Sequence, residues 1–226
     1  MKHGFTVALI GCDGAGKTTV ARTLEEQTDL PLRYVYMGVS VESSNHTLPT
    51  TRLMHRIKRA RGAPPDTAGP REPKPQAPAS LPRRVKRSVR SSLRLANRLA
   101  EEWYRQGIAW RARRRGDIVV FDRHFIADYH AADVKAEHRT WSRRLHGALL
   151  TRTYPAPDLV VFLDAPAEVL YARKGEGTIQ SLTRRREDYL RLGEELDDFV
   201  VVSATQPLPA VVDEVETIIR DYGAAR

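Results

Sequence analysis

The residues with the clearest chemical capacity are Gly11-Cys12-Asp13-Gly14-Ala15-Gly16-Lys17-Thr18-Thr19, preceded by the apolar run Phe5–Ile10 and followed by a helical pattern over Lys17–Thr28. The spacing G-x-x-x-x-G-K-T between a strand and a helix is that of a phosphate-cradling loop. Gly11, Gly14 and Gly16 let the backbone turn tightly and aim successive N–H groups at one point. The helix that follows adds the positive end of its dipole there. Lys17 can then reach the β- and γ-phosphates, and the Thr18 hydroxyl can hold Mg²⁺. The implied ligand is a nucleoside triphosphate bound through Gly11, Gly14, Ala15, Gly16, Lys17, Thr18 and Thr19. Cys12 sits where small size matters most, so it reads as loop filler rather than a nucleophile.

Asp122-Arg123-His124 closes the apolar run Asp117–Phe121. An acid at that strand end lies beside the phosphate loop if the strand neighbours the first one. Asp122 could then organise the Mg²⁺ shell or accept a proton, and Arg123 could face a phosphoryl group with its bidentate fork. The bland alternative is a strand-end salt bridge. The segment Val160–Glu168 reads as a strand stopped by Asp164, then a helix opened by Pro166. That helix ends in Arg173-Lys174-Gly175-Glu176-Gly177, a basic, glycine-punctuated hairpin able to close over a transferring phosphate. Arg184, Arg185 and Arg186 on the next helix read individually as a solvated face.

Strand patterns occur at Phe5–Ile10, Arg33–Met37, Asp117–Phe121, Asp158–Leu163 and Asp198–Val202. Helical patterns fill Lys17–Thr28, Ser88–Arg114, Trp141–Thr151, Ala167–Lys174, Ile179–Glu195 and Leu208–Tyr222. Continuous apolar runs such as Ile118-Val119-Val120-Phe121 suit strands covered on both faces, as in parallel sheets. The expected architecture is a single α/β domain over residues 1–226, a doubly wound five-stranded parallel sheet with ligands at the carboxyl ends of its strands. Residues 62–82 carry seven prolines and almost no large apolar side chain, which predicts a flexible insertion. Residues 167–195 form the expected lid region and its flanking helices.

The chain has 226 residues, 41% of them hydrophobic, enough for one substantial core. Its net charge of +9 suits phosphate-bearing ligands, nucleic acid or an anionic surface without choosing among them. Twelve Lys or Arg fall between Leu81 and Arg115 against only Glu101 and Glu102, on a stretch where Val85, Val89, Ser92, Ala96, Leu99, Trp103 and Trp110 keep a helical period. The single cysteine excludes an internal disulfide and fits a reducing cytoplasm. Nowhere does an apolar run approach the length of a membrane span.

Together these motifs resemble the thymidylate kinase-like branch of the P-loop kinases, over nearly the whole chain apart from roughly 39–82. The resemblance rests on the Gly11–Thr19 loop with its acid at Asp13, the Asp122-Arg123 pair, the Leu163-Asp164-x-Pro-x-Glu168 segment and the basic hairpin. It implies ATP as donor, Mg²⁺ as cofactor held by Thr18 and Asp122, and a small-molecule acceptor. It assigns Asp13 to the acceptor's sugar hydroxyl, and Arg123 to the acceptor phosphate and the donor γ-phosphate. Some members carry an arginine in the phosphate loop where this chain has Ala15, so Arg173 or its neighbours must supply that charge from the lid. By the same resemblance Ser203-Ala204-Thr205 lies against the adenine. Lys17, Asp122, Arg123 and Arg173 are thus the candidate catalytic residues, with Arg173 and Thr205 also on ATP.

The chain departs from the family after the Asp-Arg pair. Phe125-Ile126-Ala127-Asp128-Tyr129-His130 stands where thymidylate kinases place small hydroxyl residues and an Ala-Tyr-Gln segment that holds thymine. The expected activity is ATP-dependent phosphotransfer to a small, phosphorylated, nucleotide-like acceptor. A sugar, nucleoside or metabolite hydroxyl is the alternative acceptor, and a nucleic-acid-associated ATPase is a second class. No Asn-Lys-x-Asp guanine-reading segment exists, and the basic stretch lacks aromatics spaced for base stacking. The expected partners are ATP and a small acceptor, with no nucleic acid, no membrane span and a homodimer as the assembly to test.

Overall fold

The computed structural model describes residues 4–38, 81–124 and 141–226, together with positions 46, 48, 51, 53, 57 and 60. Most of the insertion expected at 62–82, and the divergent segment 125–130, lie outside the described residues. Five strands are present: β1 (Thr6–Ile10), β2 (Leu32–Tyr36), β3 (Ile118–Asp122), β4 (Leu159–Asp164) and β5 (Phe199–Ser203). The described helices are α1 (Lys17–Gln27), α2 (Leu81–Arg114), α3 (Trp141–Thr153), α4 (Ala167–Lys174), α5 (Ile179–Gly193) and α6 (Leu208–Ala224). Each strand lies within one residue of the span its apolar run predicts. The largest difference is α2, which opens at Leu81 instead of Ser88 and takes in the end of the Pro-rich stretch, with Pro82 in its first turn where a missing N–H costs nothing.

The strands form one all-parallel sheet in the order β2-β3-β1-β4-β5. Every residue of β1 and β3 is buried. Successive strand residues point to opposite faces, so such strands must be covered by helices on both sides. The chain leaves β1 towards β2 on one side and later returns to β4 on the other. The crevice at this reversal, outside the carboxyl ends of β1, β3 and β4, is where doubly wound sheets bind ligands. Leu9 stands opposite Asp122 and Ala8 opposite Val160, which brings the ends of all three strands to one place.

α1 packs against β2, β3 and α6, while α2 packs against β2, β3 and α3. α2 is turned inside out. Val89, Leu93, Ala96, Ala100, Trp103, Gly107 and Trp110 form an exposed stripe, while Glu101, Glu102, Arg105 and Gln106 are buried. An apolar stripe of this period ordinarily faces the core. Here the inward face carries polar side chains that have buried partners, Glu102 on His146 and Tyr154 and Arg105 on the carbonyls of Gly38 and His46, beside the buried Leu95, Ala109 and Ala112.

Candidate active site

The phosphate loop owes its path to close backbone contacts. A Cβ at Gly14, where φ is +92°, would lie 2.8 Å from Leu170 O; one at Gly11 would lie 2.7 Å from Leu163 O. Only glycine allows β4 and α4 to approach the loop this closely. Gly16 caps α1 in the left-handed conformation and offers no side chain to its first amides. Those N–H groups point into the crevice with no acid in the first turn to meet them. Ala15 is buried and Thr19 is exposed. Lys17 is 5% exposed, with Nζ 2.8 Å from both Gly11 O and Cys12 O. Burial pushes the Cys12 thiol up to about 11 despite the nearby Lys17 and Arg185. That keeps it protonated and inert, as expected of filler.

β3 delivers the next group. Asp122 is fully buried; its Oδ2 accepts from Thr18 Oγ1 at 2.5 Å and from Tyr34 Oη at 3.2 Å. Burial and the Asp122 charge both push the Tyr34 phenol up, so Tyr34 stays protonated and donates to Asp122. Asp122 Oδ1 has no hydrogen-bond partner, one of two such buried side-chain atoms among the described residues. A buried carboxylate oxygen without a donor is costly unless a cation or its water shell meets it. The pair Thr18–Asp122 therefore fits Mg²⁺, a hard cation that takes one or two protein oxygens and fills the rest of its shell with phosphate and water. No group of three or more His, Cys, Asp or Glu side chains that could hold a metal is present among the described residues.

Arg123 follows with φ of +67°, the single non-glycine residue in the left-handed region among those described. Its N–H donates to Leu9 O at 3.1 Å, so β1 holds the turn. Such strain clusters at functional sites, where it aims a side chain. Arg123 Nη2 donates to Asp13 Oδ1, and Arg185 Nη1 donates to Asp13 Oδ2 at 3.0 Å. Burial acts to raise the Asp13 carboxyl, but Arg123, Lys17 and Arg185 outweigh it and hold the group well below the usual carboxylate range. The buried His124 packs against Phe121, ring centroids 5.2 Å apart, and burial lowers its pKa to about 4. It is a neutral core residue.

The lid residues arrange themselves differently from expectation. Arg173 is exposed, and its Nη1 donates to Ala204 O at 2.9 Å, beside Thr205, whose hydroxyl bonds Ser203 at 2.8 Å. The structure thus joins Arg173 to the loop after β5, while the lid-side arginine that joins Arg123 at the phosphate loop is Arg185. Arg186 makes a two-pronged contact with Asp164, Nε–Oδ1 2.6 Å and Nη2–Oδ2 2.7 Å. Arg185 and Arg186, though partly exposed, thus reach acids at the rim of the crevice, while Arg184 is exposed as expected. Sequence reasoning also passed over Tyr34, Glu101 and Arg105. The i,i+4 spacing of Glu101 and Arg105 was a local signal for their ion pair, but their backbone partners at Gly38, His46 and Leu48, and Tyr34's partner Asp122, lie across gaps in sequence that only the fold closes.

No protein-family model matches the chain. It is 28% identical over 110 residues to a probable thymidylate kinase of Saccharolobus solfataricus, a match covering 46% of this chain and 55% of the relative. The chain thus spans about half the length of that curated relative. A solved structure of thymidylate kinase from Candida albicans superposes with a TM-score of 0.61 at 17% identity, covering 97% of this chain and 92% of that one. With its five-stranded all-parallel sheet, the chain has the thymidylate kinase-like P-loop kinase fold.

Proposed function

We propose that this protein is an ATP-dependent phosphotransferase that moves the γ-phosphate of ATP to a small, phosphorylated, nucleotide-like acceptor. The observation that carries this reading is the convergence of Lys17, Thr18, Asp122, Arg123 and Asp13 at the ends of β1 and β3. The loop amides and Lys17 would hold the donor phosphates. Thr18 and Asp122 Oδ1 would hold Mg²⁺, which supplies charge neutralisation on the migrating group when bound. Arg123 would bridge donor and acceptor charge. Asp13 would meet the acceptor's sugar hydroxyl, and Arg173 and Thr205 would lie on the nucleotide side.

Electrostatics favour an acceptor that brings its own anionic nucleophile. A hydroxyl acceptor needs a carboxylate basic enough to take its proton. Asp13, held far below the ordinary range by three cations, is a poor base. Asp122 stays available for the hydroxyl reading through its unpartnered Oδ1. A screen of nucleoside monophosphates, nucleosides and sugars for acceptor-dependent ADP release with Mg²⁺ tests the proposal. Release that no acceptor stimulates would reject it.

Self-association is the assembly we propose. The outward stripe of α2 puts Ala96, Ala100 and Gly107 between Leu93, Trp103 and Trp110, a surface that allows close approach of the same helix from a second copy. No described helix is long and apolar enough to cross a membrane. A reducing cytoplasm remains the proposed location, on the single buried Cys12.

A further inference from the structure

Arg105 is 3% exposed on the inward face of α2, outside every motif of the phosphate site. Its Nη1 donates to Gly38 O at 2.7 Å and its Nε to His46 O at 3.1 Å. Its Nη2 lies 3.5 Å from Glu101 Oε2, and the Glu101 carboxylate accepts from Leu48 N at 3.2 and 3.3 Å. One buried ion pair thus ties three points of the chain after β2 to a single turn of α2. Gly38 is the point that matters for chemistry. A Cβ there would lie 2.4 Å from Tyr36 Oη and 2.6 Å from Arg123 Cδ, so the Gly38 backbone forms the wall against which the Arg123 side chain rests. On the neighbouring residue, Met37 N donates to Asp122 O at 3.0 Å, joining the end of β2 to the Asp122-Arg123 turn.

A buried ion pair is weak as a source of stability, because desolvation offsets the attraction. Fixed geometry is what a planar five-donor fork adds. We infer that Arg105 is a positioning residue for Arg123: by holding the Gly38 carbonyl, with Glu101 bracing its guanidinium, it fixes the wall that aims the Arg123 side chain at Asp13 and at the acceptor. The kinetic part of this inference rests on the phosphotransferase reading; the structural part does not.

Two variants test it, Arg105→Ala and the double exchange Glu101→Gln with Arg105→Met, which removes both charges together and leaves neither stranded. The Asp13 carboxyl carbon, followed by NMR as pH is lowered, reports whether Arg123 still sits on Asp13. In the variants its titration midpoint rises by about one pH unit, as loss of one well-placed cation among three requires. Acceptor KM rises about tenfold or more while ATP KM stays within about twofold, the signature of misplacement on one side of the site. A merely structural role lowers Tm and leaves the Asp13 midpoint unchanged. An unmoved midpoint in the folded variants overturns the inference, and so does failure of both variants to fold, which would make the pair a stability element. If the midpoint moves but no acceptor stimulates ADP release by the unmodified protein, the positioning role stands and the proposed function falls.

Discussion

Lys17 lies inside the loop that it serves, 2.8 Å from two of its carbonyls, so a short swing of one side chain carries its charge to a phosphate. Lys17→Ala removes a preorganised contact to developing charge and should lower turnover at least about a hundredfold with the fold unchanged. Steady-state ADP release and circular dichroism on the same sample check both halves. Asp122→Asn keeps the shape at Thr18 and Tyr34 but weakens the oxygen offered to Mg²⁺. Activity should collapse, and the Mg²⁺ concentration for half-maximal ATP binding should rise, in an isothermal titration against Mg²⁺. His124 carries a separate consequence. Buried and neutral, it refuses a proton until about pH 4, whereas in the unfolded chain it takes one near its ordinary pKa of about 6.5. Between those values acidification protonates only the unfolded state, so stability falls as pH falls, by up to about 3 kcal/mol, and the loss stops below pH 4. Denaturant midpoints for His124→Phe should lose that part of the acid slope.

At the scale of elements, α5 decides what the lid can do. Thr178 and Ser181 form a reciprocal capping box at its start, which makes the second half of the hairpin a firm helix. Arg186 then anchors that helix to Asp164 at the end of β4, leaving Arg185 beside Asp13. Gly175 and Gly177, both with positive φ, link α4 to α5 and are where a hinge would lie. The segment 173–183 should gain amide-exchange protection with a bisubstrate analogue. Unchanged exchange would remove the lid from the mechanism. Arg185→Ala should slow phosphotransfer more than Arg173→Ala, because Arg185 is the arginine already at the phosphate loop. Equal loss in both, or greater loss at Arg173, would favour charge supply from the end of α4.

For the whole molecule, the inverted α2 links the site to the surface. Its polar face braces the crevice, so its apolar stripe is left outside and a second copy is the cover we propose. Sedimentation at micromolar concentration should give a dimer, and Ala100→Arg, which puts a charge in the middle of the stripe, should give a folded monomer. A monomeric unmodified protein would leave the stripe without that role. Cys12, buried and with its thiol raised to about 11, should stay unmodified by iodoacetamide at pH 8 in either state.

What the sequence determined by itself was local. The glycine spacing of 11–16 and the unbroken apolar runs specified the phosphate loop, the five strands and their parallel, two-face-covered sheet, because turn chemistry and burial pattern are read over a few neighbouring residues. The Asp122-Arg123 pair was legible as a strand end, though its place beside the loop depended on strand order. Tertiary structure alone decided that order, and with it the meeting of Thr18 with Asp122 across 104 positions and of Asp13 with Arg185 across 172. It also decided which face of α2 turns inward. A hydrophobic period identifies a stripe but not the side on which the core lies, and here the charged inner face is matched by the carbonyls of Gly38 and His46 and by Tyr154, partners that only the folded chain supplies.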